Sequence, residues 1–341
     1  MIFSDKEKLL RLQKTFDLNF RITRLYALYL ERFPELITKE MIDELTSSGD
    51  ITEQEAFGAL LCEAFGLDYS GGGDDRRLIR EYIRPSVRLL DAKRYTENKY
   101  YKNIKIEGVR DGSWELRLES YAPYRAVICG DIDLGEDFSE VPPLGFFKEP
   151  FHFPAVLEDG NEWMTLTPVD LDTCEAAIES ARGKVVTFGL GLGYFAYMAS
   201  EKECVSSVTV VERSREVIRL FEKHILPQFP HSKKIKIVCA DAFDYARNAM
   251  PAEMFDYAFV DTWRDASDGA PMYEKMKALE HLSPGTEFSY WIESFLISRR
   301  RALCFDELCD KLDRGAPDAP KSYEEFEKRL REYGNCTRIR A

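Results

Sequence analysis

The residues best placed to do chemistry lie between positions 187 and 263. Thr187-Phe188-Gly189-Leu190-Gly191-Leu192-Gly193 ends an apolar run and spaces three glycines two apart. Glu212 closes a second apolar run, Asp241 with Ala242 follows a third, and Asp261 closes a fourth. Glycines at 189, 191 and 193 let a backbone turn sharply and approach a ligand with no Cβ in the way, while a following helix offers free N–H groups. A carboxylate at Glu212, 19 residues after Gly193, can accept two hydrogen bonds from a ribose diol. Asp241 and Ala242 are placed to meet an adenine ring, with Asp241 accepting from its exocyclic amine. Helix capping is the competing role for Asp241, and a surface charge for Glu212. Asp261 is placed to contact a reacting group or the polar end of a ligand. Trp263 could wall a cation, though ordinary packing is the simpler role for it.

These residues need a scaffold, and the surrounding pattern supplies one. Apolar runs at Lys184–Phe188, Val208–Val211, Ile235–Cys239, Tyr257–Val260 and about 288–292 alternate with helical stretches at Tyr194–Ser200, about 215–225, a short one after Ala242, and one from about Met272. Such alternation predicts a parallel sheet with helices on both faces and a ligand beyond the carboxyl ends of the strands. Every candidate residue falls at one of those ends.

The four motifs together resemble class I S-adenosylmethionine (AdoMet)-dependent methyltransferases: VVTFGLGLG at 185–193, the acid of VTVVER at Glu212, ADAF at 240–243 and FVDTW at 259–263. The resemblance covers about 110–140 residues. It implies an α/β Rossmann-like methyltransferase sheet and AdoMet as cofactor, bound by Gly189, Gly191, Gly193, Glu212, Asp241, Ala242 and Asp261. It also implies Asp261 as the catalytic residue and a small-molecule methyl acceptor. One departure stands out. The family places an acid two residues before the first glycine, and this chain has Thr187 there. Thr167, in the segment Trp163–Pro168 ahead of the sheet, is a further candidate for the pocket wall. The helix after it is expected to be capped by Asp172 with Glu175.

Three other readings compete. Gly191-x-Gly193-x-x-Ala196 fits a dinucleotide fingerprint, but an NAD turn starts directly after its strand, and here Gly189-Leu190 intervene. Asp261…Asp268-Gly269-Ala270-Pro271-Met272-Tyr273 is similar to spermidine-synthase-like aminopropyltransferases, which use decarboxylated AdoMet; Asp261, Asp265 and Asp268 would then hold a polyamine. The Gly-Gly-Gly-Asp-Gly loop and Tyr-His-Glu element of that family are missing. The third reading is a non-catalytic Rossmann scaffold.

Around this centre, the 341-residue chain is long enough for more than one core. Periodicity divides it into a helical region (1–95), a small β unit with connector (96–150), the AdoMet-binding domain (151–310) and a helical tail (311–341). Ser4…Glu7, Thr52…Glu55 and Ser322…Glu325 fit capping boxes. Ser70-Gly71-Gly72-Gly73 lacks a P-loop ending and reads as a linker. Ile104, Ile106, Val109, Trp114, Leu116 and Leu118 alternate around Asp111-Gly112, a hairpin signal. Phe146–Val156 fits neither period. The N-terminal helices are candidates for a lid or a homodimer contact.

Net charge is −13, and no basic stripe exists to neutralise a phosphate backbone, which argues against nucleic acid as partner. Arg299-Arg300-Arg301 is the local exception and reads as the end of an element or a solvated face. Eight scattered cysteines (62, 129, 174, 204, 239, 304, 309 and 336) form no CxxC pair. No metal site is expected, and Cys239 should pack as a small hydrophobe. The charged start MIFSDKEKLL and the lack of long apolar runs read as a cytoplasmic protein with no membrane partner.

Overall fold

The apolar runs of the second half pair into one parallel sheet in a computed structural model that describes residues 3–68, 72–106, 108–264 and 266–335. Its strands are β1 (Gly183–Phe188), β2 (Val205–Glu212), β3 (Ile235–Cys239), β4 (Tyr257–Val260) and β5 (Glu287–Tyr290). They lie in the order β3-β2-β1-β4-β5, every pair parallel. The last four residues of β1 and all of β4 are buried. Strands covered on both faces need apolar residues at every position, which is why these two read as unbroken runs.

Helices alternate with the strands: α1 (Pro168–Ser180), α2 (Tyr194–Ser200), α3 (Arg215–His224), α4 (Ala242–Asn248) and α5 (Ala266–Lys277). The chain steps outward from β1 to β2 and β3, then returns across the sheet to β4 and β5. Right-handed crossovers therefore put α2 and α3 on one face and α4 and α5 on the other. Consistent with this, α4 packs on α5, with the Lys275 ammonium 3.7 Å from the Phe243 ring centre. Strand order reverses between β1 and β4. A crevice thus opens beyond the carboxyl ends of those two strands, as in Rossmann-like sheets.

The expected hairpin forms at Asp111-Gly112 and joins a four-stranded antiparallel sheet of Val109–Asp111, Trp114–Tyr121, Phe151–Glu158 and Asn161–Thr165. Ile104 and Ile106 are not part of it; Ile104 caps the short helix Lys99–Asn103 and is buried. The ambiguous stretch 146–156 is strand at both ends. Within Phe151–Glu158 six of eight positions are buried, and that erases the alternation a half-exposed strand would show. The start of α1 also differs from expectation. Thr167 is extended and Pro168 takes the first helical position, so Thr167 and Asp170 form the capping box. Asp172 lies inside the helix and accepts from the Tyr95 hydroxyl at 3.1 Å.

These elements make up one compact unit, residues 91–121 and 151–293; a second unit contains residues 3–90, 122–150 and 294–335. The division into four consecutive segments is therefore corrected to two interleaved units. Periodicity reports local elements but not which distant ones share a core. In the second unit the 30-residue helix Phe3–Arg32 meets the helices Glu293–Asp313 and Tyr323–Asn335, with Phe16 stacked on Phe305 at 4.2 Å. Helices Lys39–Thr46 and Glu53–Ala64 pack together. Val87–Leu89, expected to be helical, is a strand paired with Leu144–Phe146, which also takes Val127–Ile128. Three residues are too few to display a period.

The Thr52 capping box forms as expected, with Glu55 N–H donating to the Thr52 hydroxyl at 3.2 Å and Thr52 N–H to Glu55 at 2.8 Å. At Ser322 only half of one forms, because the Glu325 carboxylate accepts from Lys321 N–H instead. The side chain of Ser4, and Ser70 with Gly71, lie outside the described residues. The arginine run is corrected too: Arg299 is exposed, but Arg300 and Arg301 are buried inside the helix Glu293–Asp313, Arg301 lying 5.8 Å from the Phe138 ring. Cys239 and Cys204 are exposed, while Cys62, Cys129, Cys174 and Cys304 are buried; Cys336 lies outside the described residues. No helix among the described residues is long and apolar enough to cross a membrane.

Replacing the reciprocal cap with alanine, Thr52→Ala, is expected to cost about 1 kcal/mol in urea unfolding. An unchanged midpoint would show the cap to be idle.

Candidate functional site

Backbone hydrogen bonds continue past the strand ends and set the geometry of the crevice. Gly189 N–H donates to the Val211 carbonyl of β2 at 2.9 Å, and Asp261 N–H donates to the Phe188 carbonyl of β1 at 2.9 Å. Gly189 adopts φ +98°, and a Cβ there would collide with the carbonyl oxygen of Asp261. The exits of β1 and β4 therefore touch backbone to backbone, which only glycine permits. Gly191, at φ +51°, lies directly under the Met164 sulfur, and a Cβ would strike it. Gly193 opens α2, donating its N–H to the Leu190 carbonyl and accepting from Tyr197 N–H, each at 2.8 Å. At seven residues α2 is short, and its first three side chains are buried.

Glu212 is not a surface charge. It is buried at the tip of β2, accepting from Leu190 N–H on one oxygen (3.3 Å) and Ser214 N–H on the other (2.7 Å). The carboxylate thus clamps the glycine bend and keeps lone pairs on both oxygens for a further donor. Asp241 takes the capping role: one of its oxygens accepts from Phe243 N–H (2.9 Å) and Asp244 N–H (3.1 Å) at the start of α4, and the residue is exposed. Ala242 is the first residue of α4. Gly189, Gly191, Glu212 and Asp261 are thus brought around one bend, while Asp241 and Ala242 stand at the outer strand's tip. Trp263 packs in the core, against Gly269 and parallel to Tyr290 with ring centres 6.4 Å apart. Asp268 accepts from Arg264 N–H at 3.2 Å, and Asp265 lies outside the described residues.

Behind the bend lies a cavity of about 30 Å³, lined by Met164, Asp170, Cys174, Thr187, Asp261 and Trp291 among others. Its lining includes two carboxyls and no Lys, Arg or His. Asp170 is held by α1's cap, one of its oxygens accepting from Thr167 N–H (2.7 Å) and the Thr167 hydroxyl (2.9 Å). Burial pushes the Asp170 carboxyl up to about 6, against the pull of those Thr167 bonds. Burial first, and then the charge of Asp170, push Asp261 up to about 8. Asp170 ionises first, and its charge then opposes ionisation of Asp261. The Cys174 thiol is raised well above its ordinary range by burial and the neighbouring carboxyls. Trp291 is pinned by its indole N–H to the Thr173 hydroxyl at 2.9 Å.

Sequence reasoning missed Asp170. Its only signal was the spacing Thr167…Asp170, a capping box with aspartate where glutamate is usual. A larger hollow of about 240 Å³, lined by Lys105, His224 and Gln228 over Ile106, Val109 and Leu116, brings together none of the expected residues.

The donor set suits a nucleoside with a cationic tail. A buried carboxylate stands at β2's tip, a bare bend follows β1, and two carboxyls lie at the end of the cavity. The space is smaller than the chemistry. A pocket for a whole nucleoside needs several hundred Å³, roughly ten times this cavity, and the Met164 side chain fills the approach to Gly191. An unbranched thioether reorients at low cost, so Met164 is the group that must swing aside.

No protein-family model matches the chain, and no curated protein does. Among solved structures, spermidine synthase from Thermotoga maritima is similar over 45% of this chain and 59% of that chain, at 15% identity and a TM-score of 0.32. The chain thus spans less than two thirds of that structure's length. A superposition that loose assigns no activity.

Two outcomes follow from the geometry. Gly189→Ala is expected to cost at least about 3 kcal/mol, because strain at positive φ adds to a backbone collision; a folded variant with unchanged melting would refute the close approach. Asp261 is protonated in the fold over a range in which the unfolded chain, titrating near 3.8, is ionised. Its ionisation therefore opposes folding: the stability this one group contributes is fully present below about pH 4 and is lost as pH rises through about 8. Asp261→Asn should flatten that decline and raise the melting temperature at pH 8 by several degrees. Parallel pH–melting curves for the two proteins would count against the buried carboxyl.

Proposed function

We propose that the unit formed by 91–121 and 151–293 binds AdoMet and that the chain is an AdoMet-dependent methyltransferase for a small-molecule acceptor. The observation that carries this reading is the buried Glu212 carboxylate fastened to a glycine bend that lies against Asp261 at the sheet's switch point. Gly189 and Gly191 leave the bend bare for the ligand, and Glu212 accepts from the ribose hydroxyls. Asp241 keeps one oxygen on the cap and turns the other to the adenine amine, beside Ala242. AdoMet, when bound, supplies a methyl group on a sulfonium. Asp261, pushed up to about 8, can exchange a proton at its carboxyl and lies where it can meet either the acceptor or the polar tail of the ligand.

A second reading rests on a separate observation. The cavity lining holds two carboxyls and no cation, so it favours a ligand tail with an ammonium group and no carboxylate. Decarboxylated AdoMet has such a tail, and aminopropyl transfer then replaces methyl transfer.

Isothermal titration decides among these. AdoMet is expected to bind, NAD is not, and Glu212→Gln should weaken AdoMet at least about tenfold through loss of charged hydrogen bonds. Met164→Ala should tighten binding by removing the side chain over Gly191. Decarboxylated AdoMet bound in strong preference would move the assignment to aminopropyl transfer. Absence of heat with both ligands would leave a scaffold.

A further inference from the structure

Thr187 stands where an acid two residues before the first glycine is otherwise found, yet the cavity it lines is not short of carboxylates. Strand pairing explains the arrangement. Thr187 lies opposite Phe259 on β4, and alternation puts Asp261, two residues further along, on the same face as Phe259 and Thr187. On that face α1 contributes Asp170 and Cys174 to the same cavity. Thr187 is 2% exposed, and its hydroxyl has no hydrogen-bond partner among the described residues. A hydroxyl in the cavity wall that no protein group occupies is free to meet a ligand's donor.

The three groups make a consistent set. Asp170, Asp261 and Thr187 each offer an acceptor oxygen, and a primary ammonium group has three N–H donors. The cavity, about 30 Å³, has room for one water-sized group. The nearby carboxyls are mutually repulsive, and no basic side chain in the lining neutralises them. A cation brought by the ligand would do so.

We propose that Asp170, Asp261 and Thr187 form the seat for the primary ammonium group of the nucleoside ligand, with Asp170 on α1 supplying the carboxylate that β1 lacks at position 187. This rests on the nucleoside-binding reading above and adds to it a binding residue contributed from outside the sheet. The site takes a ligand tail ending in –NH3⁺, whether that of AdoMet or of its decarboxylated form. Asp170 binds; it touches no transferred group.

The test uses the full-length chain and three probes: AdoMet, decarboxylated AdoMet and 5′-methylthioadenosine, which carries the nucleoside but no ammonium group. Asp170→Asn keeps an acceptor for Thr167 and hence the cap. It is expected to weaken both ammonium-bearing ligands by about tenfold to a hundredfold and methylthioadenosine by less than about twofold, the effect of removing one charged hydrogen bond. Thr187→Asp in the Asp170→Asn background should recover most of the lost affinity, because it returns the carboxylate to β1. Thr187→Val, nearly the same shape without the hydroxyl, should weaken the ammonium ligands alone. Melting curves run beside each titration check folding, and Thr187→Val carries the test if Asp170→Asn unfolds. Unchanged AdoMet affinity in Asp170→Asn and Thr187→Val would overturn the ammonium seat while leaving the nucleoside site standing. Equal losses for all three probes would overturn it as well, showing a general distortion. Wild-type protein that binds none of the probes would overturn both this seat and the nucleoside reading.

Discussion

The contact on which the crevice depends joins two backbones, the Cα of Gly189 and the carbonyl oxygen of Asp261. Adjacent parallel strands ordinarily part company beyond their last ladder bond, because side chains at their exits hold them apart. Here the absence of a Cβ lets β1 turn under β4, and the ladder persists through Asp261 N–H and the Phe188 carbonyl. The Leu190 N–H is delivered to Glu212 by the same turn, and the Asp261 carboxyl is held close to the face where Asp170 and Thr187 lie. Moving the bend by the width of one methyl group would loosen all three relations together.

Much of this was legible because burial on both faces leaves a simple signature. β1 and β4 are apolar at nearly every residue, so their ends, and the glycines and acid that follow, were readable to within a residue or two. Glu212 was recognisable from its position at a strand tip. What the sequence concealed were relations made in space. Asp241 carries the same short acidic side chain whether it caps a helix or meets an adenine, and only its bonds to Phe243 and Asp244 distinguish the two. Asp170 sits in a helix preceding the sheet, and no local pattern shows that this helix turns its first acidic residue toward β4. Arg300 and Arg301 look solvated in a charged run because nothing nearby announces the Phe138 ring and Glu140 that receive Arg301. Val87–Leu89 pairs with residues more than fifty positions away, beyond any window that measures period.

The acidic cavity also shows a balance between stability and purpose. Two half-buried carboxyls with no basic neighbour in their lining weaken a fold, since loss of water penalises each charge and each opposes the other. An apolar pair of similar size would pack there without that penalty. Proteins keep such unfavourable groupings where a ligand resolves the conflict, and the Asp170–Asp261 pair sits at a strand-tip crevice and not in an ordinary part of the core.

The interleaving of the two units governs how the chain can be made. Among the described residues it passes from one unit to the other four times, at 90/91, 121/122, 150/151 and 293/294. Helix Phe3–Arg32 stacks its Phe16 on Phe305, nearly three hundred residues further along the chain. Its Leu12 and Phe16 share a core with Phe138, Phe305 and Phe326, so that core cannot close until the later residues join it. The sheet-bearing unit is complete by residue 293, whereas the other unit draws residues from both sides of it in the chain. The second unit's core is therefore built from contacts of high sequence separation, the kind that form slowly during folding.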